Sequence, residues 1–360
     1  MRSAIKKENM EALADYQRLL YTRPNLRFLF FELTDQCNLN CQHCGSTCTL
    51  KNSTFLPYAA IKKTLESVSE KYDPGNIMVC LTGGEPFLHP DLIRIVSAAH
   101  TLGFPVGITT NGTLIDGRKA KMLAYAGLDT ITISIDGVGS VHDEFRGMAG
   151  SFDKAIEGIH ALKSAGLEPE ALTVVHKKNL PQLETLYRFI RKEEIFFWRL
   201  TNIDPIGRAE INKDLLLSGP ELQMLYEFIR DKRFHSGTDM EVTYGCAHFL
   251  DLDYENEVRD FYFQCGAGLF IASVMANGDI GACLDIERRQ ELVQGNIFRD
   301  DFTDIWENRF EVFRKDRTVE SRICTACPHR KICMGDSAHT WDFDQSEPRY
   351  CVTRMIYGNG

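Results

Sequence analysis

From residue 27 to about residue 205, short apolar runs rich in Val, Ile, Leu and Phe alternate with longer stretches of helical period. This alternation is the signature of repeated strand-helix units and a parallel sheet, so the fold class expected is α/β. Six strands are predicted, at 27–33, 77–82, 105–110, 130–135, 171–176 and 196–203. Helices are predicted between them at 57–71, 90–102, 117–126, 151–165 and 180–192, gaps long enough for right-handed crossovers. Six such units suggest a curved, incomplete barrel, in which chemistry gathers at the carboxyl ends of the strands. A further helix is expected at 219–233, with Pro220 in its first turn. Beyond it the texture changes to short, Gly-punctuated strands at 270–275 and 280–283, so the domains expected are a helical extension 1–25, a barrel 26–235 and a cysteine-rich domain 236–360.

Composition narrows the function classes. A chain of 360 residues with 44% hydrophobic content can fill two domain cores. Its net charge of -9 and lack of a basic stripe argue against a nucleic-acid partner. No stretch reads as a signal peptide or a membrane span, so the expected location is cytoplasmic. Twelve cysteines in a reducing compartment are then to be explained by metal, catalysis or burial rather than by disulfides.

The spacing of those cysteines is informative. Directly after the first strand stands Cys37-Asn-Leu-Asn-Cys41-Gln-His-Cys44. A structural zinc normally takes four ligands, whereas three thiolates leave one iron of a four-iron cubane free for a substrate. S-adenosylmethionine (SAM) suits that vacancy, because its amino and carboxylate groups can chelate the open iron while the cluster reduces the sulfonium. The alternative is a zinc or inert thiol cluster. The second strand ends in Gly83-Gly84-Glu85-Pro86, where glycines permit close backbone approach and Glu85 offers a carboxylate to an ammonium. Asn111, Ser134 and Asp136 follow the third and fourth strands as candidate SAM contacts, or as ordinary turn residues. His176 reads as a core-edge histidine or a ligand contact, and Arg208 as a carboxylate partner or a brace at the domain junction. Cys80 reads as a buried hydrophobe, and Cys48 as a loop thiol or an active-site thiol.

Together these motifs resemble the radical SAM superfamily over about residues 25 to 215. The resemblance implies a partial (β/α)6 barrel of the TIM type, a catalytic 4Fe-4S cluster on Cys37, Cys41 and Cys44, His43 near the adenine, and Gly83 to Glu85 at the methionyl amine. The tail resembles the SPASM extension, which carries auxiliary clusters. By that likeness Cys324, Cys327, Cys333 and Cys351 hold an outer 4Fe-4S cluster, while Cys265 and Cys283 serve an inner one. The departure is Ser337, which stands where the pattern has a cysteine, and Cys246 offers a substitute thiolate. One or two auxiliary clusters are therefore implied. Also implied are a peptide or protein substrate, an electron donor such as flavodoxin or ferredoxin, and maturation chemistry by hydrogen abstraction, with a loose likeness to the rSAM/lipoprotein-system subfamily. A formylglycine-forming sulfatase maturase is the enzymatic rival, and a non-catalytic iron-sulfur carrier or zinc protein the rival of another class. Trp341, Asp342, Phe343 and Asp344 are candidates for a substrate surface, or a packed loop.

Overall fold

A computed structural model describes residues 2–237, 239–245 and 248–358. Its order is α1 (Arg2–Leu20), β1 (Phe28–Glu32), α2 (Tyr58–Lys71), β2 (Met78–Thr82), α3 (Leu92–Thr101), β3 (Val106–Thr110), α4 (Gly117–Ala126), β4 (Thr130–Ser134), α5 (Ser140–Arg146), α6 (Ser151–Ser164), β5 (Pro169–Val175), α7 (Leu183–Lys192), β6 (Phe197–Asn202) and α8 (Gly219–His235). The expected strands and helices are all there, with ends shifted by a residue or two. The helix expected at 180–192 opens as a 3-10 turn, Leu180–Gln182, with Pro181 in the first turn, where no backbone N–H is needed. Between β1 and α8 one helix lies outside the expectation, α5, in what reads as a polar connection between β4 and α6; the C-terminal third adds short ones, such as Phe302–Asn308 and Val352–Tyr357.

Strands β1 to β6 are parallel and adjacent in sequence order. One face is apolar, Leu29, Phe31, Ile131 and Ile133 all being buried, and in β4 the opposite face is covered too, Thr132 and Ser134 being buried between the isoleucines and after them. The sheet does not stop there. β7 (Glu241–Tyr244) adds parallel to β6, and β8 (Ile271–Val274) adds parallel to β1, Phe28 facing Ile271 and Phe31 facing Val274. β9 (Asp279–Gly281) and β10 (Gly295–Asn296) continue antiparallel from β8, giving ten strands in the order β10-β9-β8-β1-β2-β3-β4-β5-β6-β7. The C-terminal third thus supplies both flanks of the barrel sheet, and one apolar core runs from Leu26 to Val352. α1 packs against the same third, with Met10 among Phe249, Phe263 and Ile332. No described helix is long and apolar enough to cross a membrane.

Candidate active site at the carboxyl edge of the sheet

The loop leaving β1 carries Cys37, Cys41, Cys44 and Cys48, and segments following three other strands hold it. After β2, Gly84 N donates to Thr34 O at 2.6 Å and Glu85 N to Gln36 O at 2.8 Å. A Cβ on Gly84 would meet Gln36 O at 2.1 Å, and one on Gly83, at φ 154°, would meet Thr34 O at 2.6 Å. Glycine is required at both positions because the two loops lie backbone against backbone. From α5, Arg146 O accepts from Asn40 N at 3.1 Å and Phe145 O from Gln42 N at 2.9 Å. After β6, Arg208 donates through Nε to Cys41 O at 2.7 Å and through Nη1 to Cys48 O at 3.2 Å, while Asn212 Nδ2 reaches Gln42 O at 2.8 Å. Arg208 is therefore a brace for the cysteine loop.

Cys37, Cys41 and Cys48 are buried and Cys44 half-buried. Burial pushes the Cys37 thiol up to about 12, and pushes Cys41 up against the opposing charge of Arg146. Arg146 Nη1 donates to Cys41 Sγ at 3.7 Å, and its Nε is paired with Asp136. Asp136 also accepts from Val174 N at 2.7 Å. Burial works against its negative charge, and Arg146 outweighs it, leaving the carboxyl below its usual range. The Cys48 thiol donates to Ser46 O at 3.7 Å, and its interaction with the neighbouring Cys44 sulfur holds Cys44 low and raises Cys48.

The remaining expected contacts surround this loop. His43 stacks on Phe145 with ring centroids 4.5 Å apart, and Phe145 stacks on His176 at 4.0 Å. Burial lowers His43 to about 3 and His176 to about 4, so both rings are neutral. Nδ1 of His43 and Nε2 of His176 are buried and have no hydrogen-bond partner among the described residues. Glu85 is buried with both oxygens engaged: Oε1 accepts from Thr110 Oγ1 at 2.6 Å and Phe87 N at 3.1 Å, and Oε2 from Asn111 N at 2.9 Å. Asn111 Nδ2 in turn donates to Asn38 Oδ1 at 2.9 Å, inside the cysteine loop. Ser134 is the buried last residue of β4.

The donor set suits a cluster better than a single ion. Among the described residues, neither the three loop cysteines nor the C-terminal cysteines bring three ligand atoms within 4.8 Å of one another. One tetrahedral ion needs such convergence, whereas a cubane takes each thiolate on a different iron. The orphaned nitrogen of His43 and the close-packed glycines fit a bound small molecule beside that cluster.

In the C-terminal third, burial raises Cys333, Cys324 and Cys351, the last to about 12, and each feels the neighbouring sulfurs. Cys265 Sγ accepts from Ala338 N at 3.3 Å, so the buried Ser337 stands next to Cys265, where the family pattern wants a ligand. Cys283 lies beside Asp285, at 3.9 Å. Cys246 lies outside the described residues. Trp341 is buried under the Arg317 guanidinium and Asp344 is paired with Arg289 at 2.6 Å, the packed-loop alternative for that segment.

A cluster that the sequence reading did not assemble lies at the end of β6. Asp204 accepts from His248 at 2.8 Å on Oδ1 and from His339 at 2.8 Å on Oδ2. His248 meets Asp336 on its other nitrogen at 3.2 Å. Burial disfavours charge on His248, but the two carboxylates outweigh it and raise the ring to about 10.

The radical SAM superfamily model matches residues 31–190, and that for the SPASM iron-sulfur cluster-binding domain matches residues 265–328. Among named relatives, the AdoMet-dependent heme synthase of Oleidesulfovibrio alaskensis is 29% identical over 87% of this chain and 82% of its own. The mycofactocin maturase MftC of Mycolicibacterium smegmatis is 29% identical over 85% and 76%. Among solved structures, anSMEcpe with bound AdoMet and Cp18Cys peptide aligns with a TM-score of 0.73 at 19% identity, covering 93% of this chain and 95% of that one. Streptococcus suis SuiB bound to S-adenosylmethionine gives 0.70 at 21% identity over 87% and 73%, a likeness of fold. The cofactors are a 4Fe-4S cluster, SAM and auxiliary clusters in the C-terminal domain. With its CxxxCxxC loop at the carboxyl edge of a parallel sheet and cysteine-rich tail, the chain belongs to the radical SAM superfamily and carries a SPASM domain.

Proposed function

We propose that this radical SAM enzyme modifies a peptide or protein by hydrogen abstraction, with Cys37, Cys41 and Cys44 holding the catalytic cluster. A cluster held by these three thiolates would supply one electron to the SAM sulfonium; the carbon-sulfur bond would break to leave methionine and a 5'-deoxyadenosyl radical able to take a hydrogen atom from the substrate. The chain's own residues position and insulate that event. The backbone of Gly83 and Gly84 offers acceptors to the methionyl ammonium, because its close packing on the cysteine loop leaves no side chain in the way. Glu85 fixes Asn111, whose amide is tied to Asn38. Ser134, and the Asp136–Arg146 pair beside Cys41, complete the polar lining. The neutral His43 on its Phe145 platform presents a flat face to a base. Cys324, Cys327, Cys333 and Cys351 would hold one auxiliary cluster, and Cys265 and Cys283 with Cys246 another. A small electron-transfer protein such as flavodoxin or ferredoxin would supply the electron.

The observation that carries the reading is the spread of three loop thiols at the sheet edge, wider than a single ion accepts and braced from three strands. The peptide class is supported by the SPASM domain and by the peptide-bound form of anSMEcpe, which shares this fold. A second reading, a haem-related substrate, is favoured by the names of the heme synthase relatives. The experiment is to reconstitute the protein anaerobically, reduce it, and follow 5'-deoxyadenosine and substrate mass. The substrates offered are peptides encoded beside its gene and, in parallel, iron porphyrin precursors. A mass change on a peptide supports the proposal; turnover of the porphyrin alone overturns the peptide class. Iron content of about eight or about twelve per chain reports one or two auxiliary clusters.

A further inference from the structure

The geometry points to a mononuclear site for a divalent first-row transition metal on Asp204, His248 and His339, where the end of β6 meets the C-terminal domain. None of its three ligands is a cysteine assigned above; it borders the C-terminal cysteines, with Asp336 N donating to Cys333 O at 3.2 Å. One carboxylate oxygen and one nitrogen from each histidine lie within 4.8 Å of one another, the only such group among the described residues. Two imidazoles and one carboxylate form the set that binds iron(II), zinc or cobalt(II) on one face and leaves the opposite positions open.

Three further features suit a metal. His248 is buried, and its second nitrogen is held by Asp336 at 3.2 Å, the carboxylate-histidine arrangement that orients a metal-binding ring. Asn202 Nδ2 donates to Asp204 Oδ1 at 3.1 Å and steadies the carboxylate. Finally, the Tyr350 ring lies 5.5 Å from that of His248, and its buried hydroxyl has no hydrogen-bond partner among the described residues. With its ring against His248, a water on a metal would give that hydroxyl a partner. A plain ion network explains the carboxylate-imidazole contacts but leaves the hydroxyl stranded.

The site also has a way in. The side chains of Asp204 and His339 keep 12% and 14% of their surface exposed, while that of His248 keeps none. Just downstream, Arg208 N donates to Cys44 O at 3.1 Å, so the same post-β6 segment braces the cysteine loop. A metal here would offer a Lewis acid to a carbonyl or carboxylate oxygen of a substrate bound along that edge.

The test uses anaerobically reconstituted protein, its cysteines already occupied by clusters, and cobalt(II) as the probe. One cobalt per chain retained through gel filtration is expected, with an anomalous peak at Asp204, His248 and His339 that appears only above the cobalt absorption edge. His339→Ala, at the exposed rim, should lose the retained cobalt while iron and sulfide stay at parental values. Asp336→Asn should weaken binding about 10- to 100-fold. Failure of the parent to retain cobalt, a peak elsewhere, or undiminished binding by His339→Ala with its clusters intact would leave only an ion network and overturn the assignment.

Discussion

Single residues decide whether the cysteine loop can be held at all. Gly84→Ala places a Cβ 2.1 Å from a backbone oxygen that cannot rotate away, so the β2 and cysteine loops must separate. The expected cost is about 1–3 kcal/mol in a denaturant titration, with reduced iron after reconstitution. Gly117→Ala is the control: no atom lies within 4 Å of its Cβ, so it should be neutral or stabilising. Arg146→Gln tests the buried pair. It strands the Asp136 carboxylate with no countercharge, for an expected loss of about 3–5 kcal/mol in the same titration. Arg146 was not legible in the sequence, where an Arg in a short polar stretch reads as solvated. Its partners lie 10 residues back, at Asp136, and 105 residues back, at Cys41. The cysteine and glycine motifs stood out in the sequence because they are patterns of local spacing, whereas the Glu85 carboxylate, expected to meet an ammonium, has both oxygens engaged by Thr110, Phe87 and Asn111.

At the scale of elements, α5 is the part that periodicity hid: 7 residues are too few for a helical pattern to rise above turn signals. Yet it contributes His142, Phe145 and Arg146 to the site and clamps residues 40 and 42. Its packing carries a pH signature. Burial lowers His142 and His176 from 6.5 to about 4 each, so the unfolded chain binds protons there before the folded one does. Stability from this source is fully present above 6.5 and is lost as the pH falls toward 4. The urea midpoint of the parent should therefore fall through this window. His176→Gln should show a shallower fall; an identical slope would mean that His176 is not held neutral. The flanking strands β7 to β10 were only partly legible. Two of them read as short strands, but their pairing with β1 and β6 is a long-range fact that local pattern does not contain.

Over the whole molecule, that pairing means the barrel strands and the C-terminal third fold as one sheet. Arg288, from the third, donates to Glu32 at the end of β1 at 3.1 Å and to Ser46 in the cysteine loop at 2.9 Å. A fragment of residues 26–235 would bare the edges of both β1 and β6, and exposed hydrophobic edges template association. Light scattering should find this fragment aggregated; a monomer that unfolds cooperatively would show that the barrel stands alone. The Asp204, His248 and His339 cluster belongs to this scale as well, since its members are separated by up to 135 residues and meet only once the third has docked.

Catalysis needs a cluster held by three thiolates with one iron left open, and Cys48, the buried fourth thiol of the same loop, is the side chain that could close that position. The decisive measurement is 5'-deoxyadenosine formation by the reconstituted, reduced protein and its Cys41→Ala and Cys48→Ala variants. The account predicts that the parent and Cys48→Ala cleave SAM while Cys41→Ala forms no product. Parental rates in Cys41→Ala, or abolished cleavage in Cys48→Ala with full iron content, would contradict it.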